Sequence, residues 1–147
     1  MIFVDTWGFK AFIDRKEPRH EDVVAVLREN WLKNDFVYTS DYILDETITL
    51  ISCRCAFDEL KRFVKVFNEA RQAGYFNLLR VVECDFEAAV DLKLKLADKP
   101  RISFTDCTSV VLMKKHGVDK VVTEDKHFGW IDGKIEVLFA QRGERAR

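Results

Sequence analysis

Four acidic residues stand far apart in the sequence, each where an apolar segment ends or a helix is expected to begin. They are Asp5, Glu46, Asp106 and Asp125. Carboxylates gathered in one cleft repel one another, and some stay protonated unless a cation balances their charge. Oxygen-only ligands suit Mg²⁺ or Mn²⁺. If the four side chains converge, we expect a metal site able to support hydrolysis of a phosphodiester bond.

Hydroxyl-bearing residues stand beside or close to three of these acids, and we expect them to hold the carboxylates or metal-bound waters in place. They are Thr6, Ser103, Thr105 and Thr123. Two further acids, Asp45 and Glu124, are direct neighbours of Glu46 and Asp125. Because successive side chains diverge on helices and strands alike, we expect Asp45 and Glu124 to point away from the site.

The segments that must position the acids alternate between predicted strands and predicted helices. Short apolar runs predict strands at residues 2–4, 36–38, 78–82, 118–123 and 135–139. Apolar spacing and capping residues predict helices over residues 23–31, 41–54, 57–74, 85–96 and from the Ser103–Asp106 capping box to Gly117. This alternation predicts an α/β fold with a mainly parallel sheet. Since the carboxyl ends of parallel strands meet at one edge, the four acids are expected to converge there.

The length of 147 residues fits one domain, and 48% apolar content allows a sizeable core. The N-terminus lacks the basic region and long apolar run of a signal peptide. No stretch approaches the roughly 20 consecutive apolar residues that a membrane span needs. We therefore expect a cytoplasmic protein without membrane contact.

The formal net charge of −1 excludes a protein that binds nucleic acid through overall positive charge alone. Any nucleic acid must meet a local basic patch, or a metal that offsets the acids. Candidate phosphate contacts near the acidic motifs are Lys10, Arg54, Arg101 and Lys126, and three further arginines lie in the segment 141–147.

Aromatic residues and a histidine follow two of the acids closely. We interpret Trp7 and Trp130 first as core or interface residues, and second as platforms on which bases stack. His127 is interpreted first as a turn residue, with contact to a metal-bound water or a phosphate as the alternative.

The four cysteines are Cys53, Cys55, Cys84 and Cys107. They include no C-x-x-C pair and have no histidine at zinc-finger spacing. We expect all four to be reduced and mostly buried, which argues against a zinc site. A thiol hydrolase using Cys107 with His116 or His127 is disfavoured, because no residue is evident that would orient such a pair.

Four short motifs surround the acids in order along the chain. They are Phe3-Val4-Asp5-Thr6, Leu44-Asp45-Glu46-Thr47, Ser103-Phe104-Thr105-Asp106-Cys107 and Thr123-Glu124-Asp125-Lys126-His127-Phe128. Each motif alone is weak, but their order and spacing over nearly the whole chain resemble the PIN domain family. The single-domain length resembles the VapC-type toxins of that family.

The resemblance implies a three-layer α/β/α fold with about five mainly parallel strands over residues 1–140, followed by a basic tail at 141–147. It implies a Mg²⁺- or Mn²⁺-dependent endoribonuclease in which Asp5, Glu46, Asp106 and Asp125 surround one or two ions. The fourth acid varies in position across the family, so Asp125 is expected to contribute less than the others. The resemblance also implies a toxin, a homodimer, and a small antitoxin that inserts a segment near the acidic pocket. The apolar stripe from Phe57 to Phe67 is a candidate dimer surface.

Two other classes stay open. A receiver-like domain also binds Mg²⁺ in an acidic pocket, but its design needs two adjacent acids after the first strand, whereas Val4 and Thr6 flank Asp5. It also leaves Glu46 unexplained. The second class is a PIN fold that has lost catalysis and acts by binding partners. The presence of all four acids argues against that loss.

Overall fold

The computed structural model describes residues 1–140, so the predicted basic tail at 141–147 lies outside the described residues. The strands in this part of the chain are β1 Ile2–Val4, β2 Val37–Ser40, β3 Asn77–Leu79, β4 Lys120–Val122 and β5 Glu136–Val137. The helices are α1 Thr6–Ile13, α2 His20–Leu32, α3 Asp41–Arg54, α4 Phe57–Gln72, α5 Glu83–Lys95, α6 Phe104–Lys115 and α7 His127–Ile131. No helix within residues 1–140 is long and apolar enough to cross a membrane.

The strands form one parallel sheet in the order β3-β2-β1-β4-β5. The central strand β1 is buried along its whole length, as expected for a strand with helices on both faces. The chain builds outward from β1 through β2 to β3, and then crosses to β4 on the other side of β1. At such a switch point a crevice opens beyond the carboxyl ends of the strands. The predicted three-layer α/β/α fold with a parallel sheet is confirmed.

Two buried clusters hold the helices on the sheet. In the larger cluster Phe9 of α1 packs against Phe63 and Phe67 of α4 and against Phe76, with ring centroids 5.4–6.1 Å apart. Such aromatic pairs add to the stability gained by burying their area. The smaller cluster joins α5 to α6 and to the segment between them, through Ala89, Leu96, Ile102 and Cys107.

Gly8 allows the first turn of α1 to lie directly against the sheet. A Cβ atom at this position would lie 2.6 Å from the carbonyl oxygen of Val122 and 2.8 Å from Cγ1 of Val4. Both distances are far too short, and the Val122 oxygen belongs to the backbone, so it cannot move aside alone. Because α1 begins directly after Asp5, this close approach holds that acid over the middle of the sheet edge.

Several helix boundaries follow from the residues that predict them. Ser40 caps α3, since its hydroxyl accepts a hydrogen bond from the Ile43 N–H at 3.2 Å. Gly74 and Gly117 follow the ends of α4 and α6 with positive φ angles of 84° and 67°, the conformation in which many helices end. In α2, Val23 and Leu27 are buried and Val26 and Trp31 are partly buried, in agreement with the apolar spacing that predicts a helix over residues 23–31.

Other boundaries differ from the sequence prediction. Strand β3 ends at Leu79 rather than at residue 82, because the Val81 N–H leaves the sheet and donates to the Asp41 carboxylate at 3.2 Å. Helix α5 begins at Glu83, and Asp85 caps it from inside the first turn by accepting from the Val82 N–H at 3.3 Å. Strand β5 covers only residues 136–137 of the predicted 135–139. Helices α1 and α7 are not anticipated by the sequence patterns.

The expectation that the cysteines are mostly buried is wrong. Cys53, Cys55 and Cys84 are exposed, and only Cys107 is buried, although all four are free. Cys53 and Cys55 lie at the exposed end of α3, and Cys84 lies in the first turn of α5. The stripe on α4 is also divided, since Phe67 is buried while Phe57 is 71% exposed.

Candidate functional site

Asp5 occupies the centre of the site. It follows β1 directly and caps α1, with its carboxylate oxygen accepting a hydrogen bond from the Gly8 N–H at 2.8 Å. The side chain is almost fully buried, with the residue only 8% exposed. The crevice between β1 and β4 therefore has a carboxylate at its base.

Glu46 reaches the same edge from the second turn of α3. Its carboxylate accepts a hydrogen bond from the Thr6 hydroxyl at 2.8 Å. Since Thr6 follows Asp5 in the chain, this bond ties the two acids to one another although they are 41 positions apart in the sequence. Asp45 is exposed whereas Glu46 is half-buried, which agrees with the expectation that Asp45 points away.

Asp106 lies in the first turn of α6. Its carboxylate accepts from the Ser103 N–H at 2.7 Å, and its own N–H donates to the Ser103 hydroxyl at 3.0 Å, so the predicted capping box is confirmed. The bonds leave the carboxylate half-buried and fixed in direction. A residue that a sequence pattern explains as a cap is thus also available to a ligand.

Asp125 is held by the turn that follows β4. Its N–H donates to the Thr123 hydroxyl at 3.0 Å, while its carboxylate accepts from the His127 N–H at 2.9 Å and lies 2.9 and 3.2 Å from Nδ1 of the same histidine. This carboxylate therefore has protein partners on both oxygens. The sequence predicts His127 as a turn residue, but it does not predict that His127 pairs with the Asp125 carboxylate. The two-residue spacing in T-x-D-x-H was the available signal.

The charges of the four acids act on one another. Burial, together with the negative charges of Asp106 and Asp125, raises the pKa of Asp5 to about 7, although hydrogen bonds from Thr123 and Gly8 act in the opposite direction. Burial also raises the pKa of Asp106, together with the charges of Asp125 and Glu46. All four acids thus belong to one electrostatic cluster.

The four acids are spread too widely for all of them to bind one metal ion directly. Within residues 1–140, no three acids, histidines or cysteines lie close enough together to ligate one ion jointly. The residues nevertheless fit Mg²⁺ or Mn²⁺, because the donors are all carboxylate oxygens and their mutual repulsion favours a bound cation. Mg²⁺ usually keeps several waters and takes only one or two carboxylates directly, so the others would be reached through water.

The remaining candidates divide by their surroundings. Lys10 makes an ion pair with Glu17 at 3.0 Å, whereas the Lys126 ammonium lies 5.2 Å from the centroid of the Trp130 ring.

Trp7 packs against the core, as expected, but Trp130 is 54% exposed, so the core interpretation is wrong for Trp130. Arg54 and Arg101 are exposed. Among residues 1–140, the Thr105 hydroxyl has no hydrogen bond to an acid, unlike the hydroxyl of Thr6.

Cys107 is unsuited to nucleophilic chemistry. Its side chain is buried in the small cluster between α5 and α6, and burial raises the pKa of its thiol. A nucleophilic cysteine needs a lowered pKa and access to its substrate. The thiol-hydrolase alternative therefore has no structural support.

The fold and the site together define a class: small parallel α/β proteins with a cluster of carboxylates at the switch point of the sheet. The sequence profile of the PIN domain matches residues 2–134. The chain belongs to the PIN domain family.

Sequence and structure comparisons agree on its relatives. The chain is 30% identical over 140 residues to the 23S rRNA-specific endonuclease VapC20 of Mycobacterium tuberculosis, covering 93% of this chain and 98% of the relative. The crystal structure of that VapC20, described as a sarcin-ricin loop cleaving toxin, superposes with a TM-score of 0.73 and 25% identity, over 90% of this chain and 95% of the other. The fold is also similar to a chain of VapBC2 from Rickettsia felis, solved bound to a DNA fragment from its promoter, with a TM-score of 0.70 and 18% identity over 92% and 96% of the chains.

Proposed function

We propose that the chain is a Mg²⁺- or Mn²⁺-dependent endoribonuclease that acts as the toxin of a toxin–antitoxin pair. The observation that carries the proposal is the electrostatic cluster of Asp5, Glu46, Asp106 and Asp125 at the switch point of the sheet. The similarity to a 23S rRNA-specific endonuclease over nearly the full length of both chains supports RNA as the substrate.

Asp5, Glu46 and Asp106 would surround the ion, with one or two of them as direct ligands and the others reached through water, and with Asp125 at the margin of the site. The chemistry that Mg²⁺ or Mn²⁺ supplies when bound is to acidify water and to neutralise phosphate charge. Thr6 orients the Glu46 carboxylate, and the Ser103 N–H orients that of Asp106. In the reaction a water molecule loses a proton and its oxygen bonds to phosphorus, while the bond from phosphorus to the leaving ribose oxygen breaks and that oxygen takes up a proton.

The test is RNA cleavage by the purified chain with Mg²⁺ or Mn²⁺, with excess chelator, and with the Asp106→Asn variant. We expect cleavage of single-stranded RNA only with metal, and none by the variant. Asparagine keeps the cap, because its amide oxygen can still accept from the Ser103 N–H. Loss of activity with an unchanged melting temperature would then show that the Asp106 carboxylate is needed for the reaction and not only for folding. Cleavage that persists in chelator or survives Asp106→Asn would contradict the metal mechanism.

A groove supports the antitoxin half of the proposal. It lies between α1, α2 and α4 with a volume of about 570 Å³, and aromatic side chains such as Phe12, Phe63 and Trp31 line it. Arg15 and Arg62 also line it and are exposed, against one acid, Glu59, which lies 3.9 Å from Arg62. These features suit an amphipathic helical segment with acidic residues on its flanks. Such a segment would continue from the groove toward the acids, since α1 begins directly after Asp5.

The partner is tested by sequencing the reading frames next to the gene for this chain and co-expressing the chain with a short one found there. We expect the pair to co-purify, and expression of the chain alone to be toxic in a manner that Asp106→Asn relieves. Arg62→Glu should weaken the complex without changing RNA cleavage by the free chain. The homodimer also stays a proposal, and light scattering of the purified chain would decide it.

A further inference from the structure

A second pocket, distinct from the groove, adjoins the acidic site. The chain segment 98–102, which leads to α6, forms one wall, and Lys126, His127 and Trp130 at the start of α7 form the other. Its volume of about 340 Å³ falls in the range of small-ligand sites, roughly 300–1,000 Å³. Neither the metal site nor the groove uses this pocket.

The pocket contains an aromatic surface with a cation beside it. Trp130 is 54% exposed, and the Lys126 ammonium lies 5.2 Å from the ring centroid. The His127 ring meets the Trp130 ring edge-on, with centroids 4.7 Å apart. A lone exposed tryptophan would need no explanation. An exposed indole in contact with an imidazole and an ammonium, however, offers both a stacking surface and a phosphate contact.

Positive charge is concentrated in this pocket, although the chain as a whole is nearly neutral. Lys99, Arg101 and Lys126 line it, against a single acid, Asp98. Among the residues that the structure describes, Arg101 and Lys126 are in no ion pair, and Lys99 pairs only with its neighbour Asp98 at 3.2 Å. Asp98 is itself 73% exposed at its side chain, so this pair is weakened by solvent.

The pocket is connected to the acids on both walls. His127 holds the Asp125 carboxylate at 2.9 Å and contacts Trp130 with its ring. On the other wall, Ile102 immediately precedes Ser103, whose N–H holds Asp106. A phosphodiester chain with one phosphate at the acids would therefore place an adjacent nucleotide in the pocket.

We propose that this pocket binds an unpaired nucleotide of the RNA next to the scissile phosphate. Its base stacks on Trp130, and Arg101 and Lys126 contact its phosphates. The proposal rests on the proposed ribonuclease function and adds a requirement: the RNA must be single-stranded, bulged or looped at this position. In a continuous duplex the base would stay stacked on its neighbours and could not reach the indole.

Binding is measured with a fluorescently labelled single-stranded RNA and chains that all carry Asp106→Asn, so that no cleavage occurs. Trp130→Ala should weaken binding about tenfold, whereas Trp130→Phe should retain most of the affinity, because any aromatic face can stack. Phe36→Ala is the matched control. Phe36 is also 54% exposed but precedes β2 at the opposite edge of the sheet, so its removal should leave binding unchanged.

Two further measurements distinguish base stacking on Trp130 from nonspecific binding of the RNA. An abasic site moved along the RNA should abolish the effect of Trp130→Ala at one position only. Arg101→Ala and Lys126→Ala should each reduce the slope of log affinity against log salt by about 0.7, the value for one phosphate contact to a single strand. Lys65→Ala on α4 is the control for removing an exposed lysine, and should leave the slope unchanged.

The outcomes also separate this proposal from the function on which it rests. If the unmodified chain cleaves RNA with Mg²⁺ but Trp130→Ala binds RNA as well as its parent, the pocket proposal is overturned and the ribonuclease stands. If the unmodified chain neither cleaves nor binds RNA, both are overturned. A tenfold loss with Trp130→Ala that one abasic position abolishes supports both.

Discussion

The Thr6 hydroxyl donates a hydrogen bond to Glu46 at 2.8 Å, and so joins the first residue of α1 to the second turn of α3. Asp5 and Thr6 are neighbours, so one dipeptide supplies a carboxylate and orients another. The bond links the helix that follows β1 to the helix that follows β2. The Thr6 hydroxyl therefore fixes the direction of the Glu46 carboxylate.

Thr6→Val should lower ribonuclease activity at limiting metal by roughly 10- to 100-fold, the usual cost of removing a group that orients a metal ligand. Valine has the same shape but cannot donate, so Glu46 loses its fixed direction. Metal titrations of activity should show a higher apparent dissociation constant for Mn²⁺. Thr6→Ser keeps the hydroxyl and should stay near the unmodified chain. Equal metal dependence of Thr6→Val and the unmodified chain would contradict this role.

Asp5 should make the stability of the metal-free chain depend on pH. Burial raises its pKa from 3.8 to about 7, so between these values the folded chain binds more protons than the unfolded chain. The free energy of unfolding should therefore fall as pH rises from about 4 to about 7, and this group should add no further change above that range. At about 1.4 kcal/mol per pKa unit, the loss is on the order of 4 kcal/mol.

The control for this pH effect is Asp5→Asn, which has no proton to release and still caps α1. Urea unfolding in chelator at several pH values should show the decline for the unmodified chain and a much flatter profile for Asp5→Asn. Adding Mn²⁺ at high pH should restore stability only to the unmodified chain, since a carboxylate binds the ion best once deprotonated. Parallel profiles for the two chains would show that Asp5 titrates normally.

Gly8→Ala should destabilise the chain by about 1–3 kcal/mol, the usual cost of overpacking a well-filled site. The new methyl group would lie 2.6 Å from the Val122 carbonyl oxygen, so α1 must move away from the sheet. Because the Gly8 N–H also holds Asp5, activity at a temperature where the variant is folded should fall as well. Gly133→Ala is a matched control, since a Cβ there meets nothing within 4 Å, and it should change neither stability nor activity.

The parts of this site that follow from sequence are those with local signals. The Ser103–Asp106 capping box and the apolar run before Asp5 each identify an element boundary, and parallel strands bring such boundaries to one edge. The predicted convergence of four acids needs only this topology. The helical position of Glu46 follows in the same way from the Ser40 cap.

The parts that do not follow depend on contacts between distant segments. Helix α1 starts directly after β1 without the usual loop, which is possible because Gly8 packs against Val122, and no short pattern encodes that contact. The exposure of Trp130 depends likewise on the segment 98–102 lying opposite α7. The burial of the cysteines was mispredicted because a preference of residue type was applied without knowing which helix faces meet the core.

Asp125→Asn should reduce activity less than Asp106→Asn, about 10- to 100-fold against complete loss, because Asp125 already has protein partners on both carboxylate oxygens. Its bonds with the N–H and the ring of His127 must lengthen or rearrange before it can approach a cation. Within residues 1–140, the Asp106 carboxylate is held by the Ser103 N–H through one oxygen, which leaves the other oxygen for a ligand. The check is the cleavage rate of both variants at saturating Mn²⁺, with His127→Ala as a third variant.

If His127 restrains Asp125, His127→Ala should change the metal concentration needed for half-maximal rate, and should have no such effect when Asp125→Asn is already present. Complete inactivity of Asp125→Asn at saturating metal would instead make Asp125 an equal partner of the other three acids.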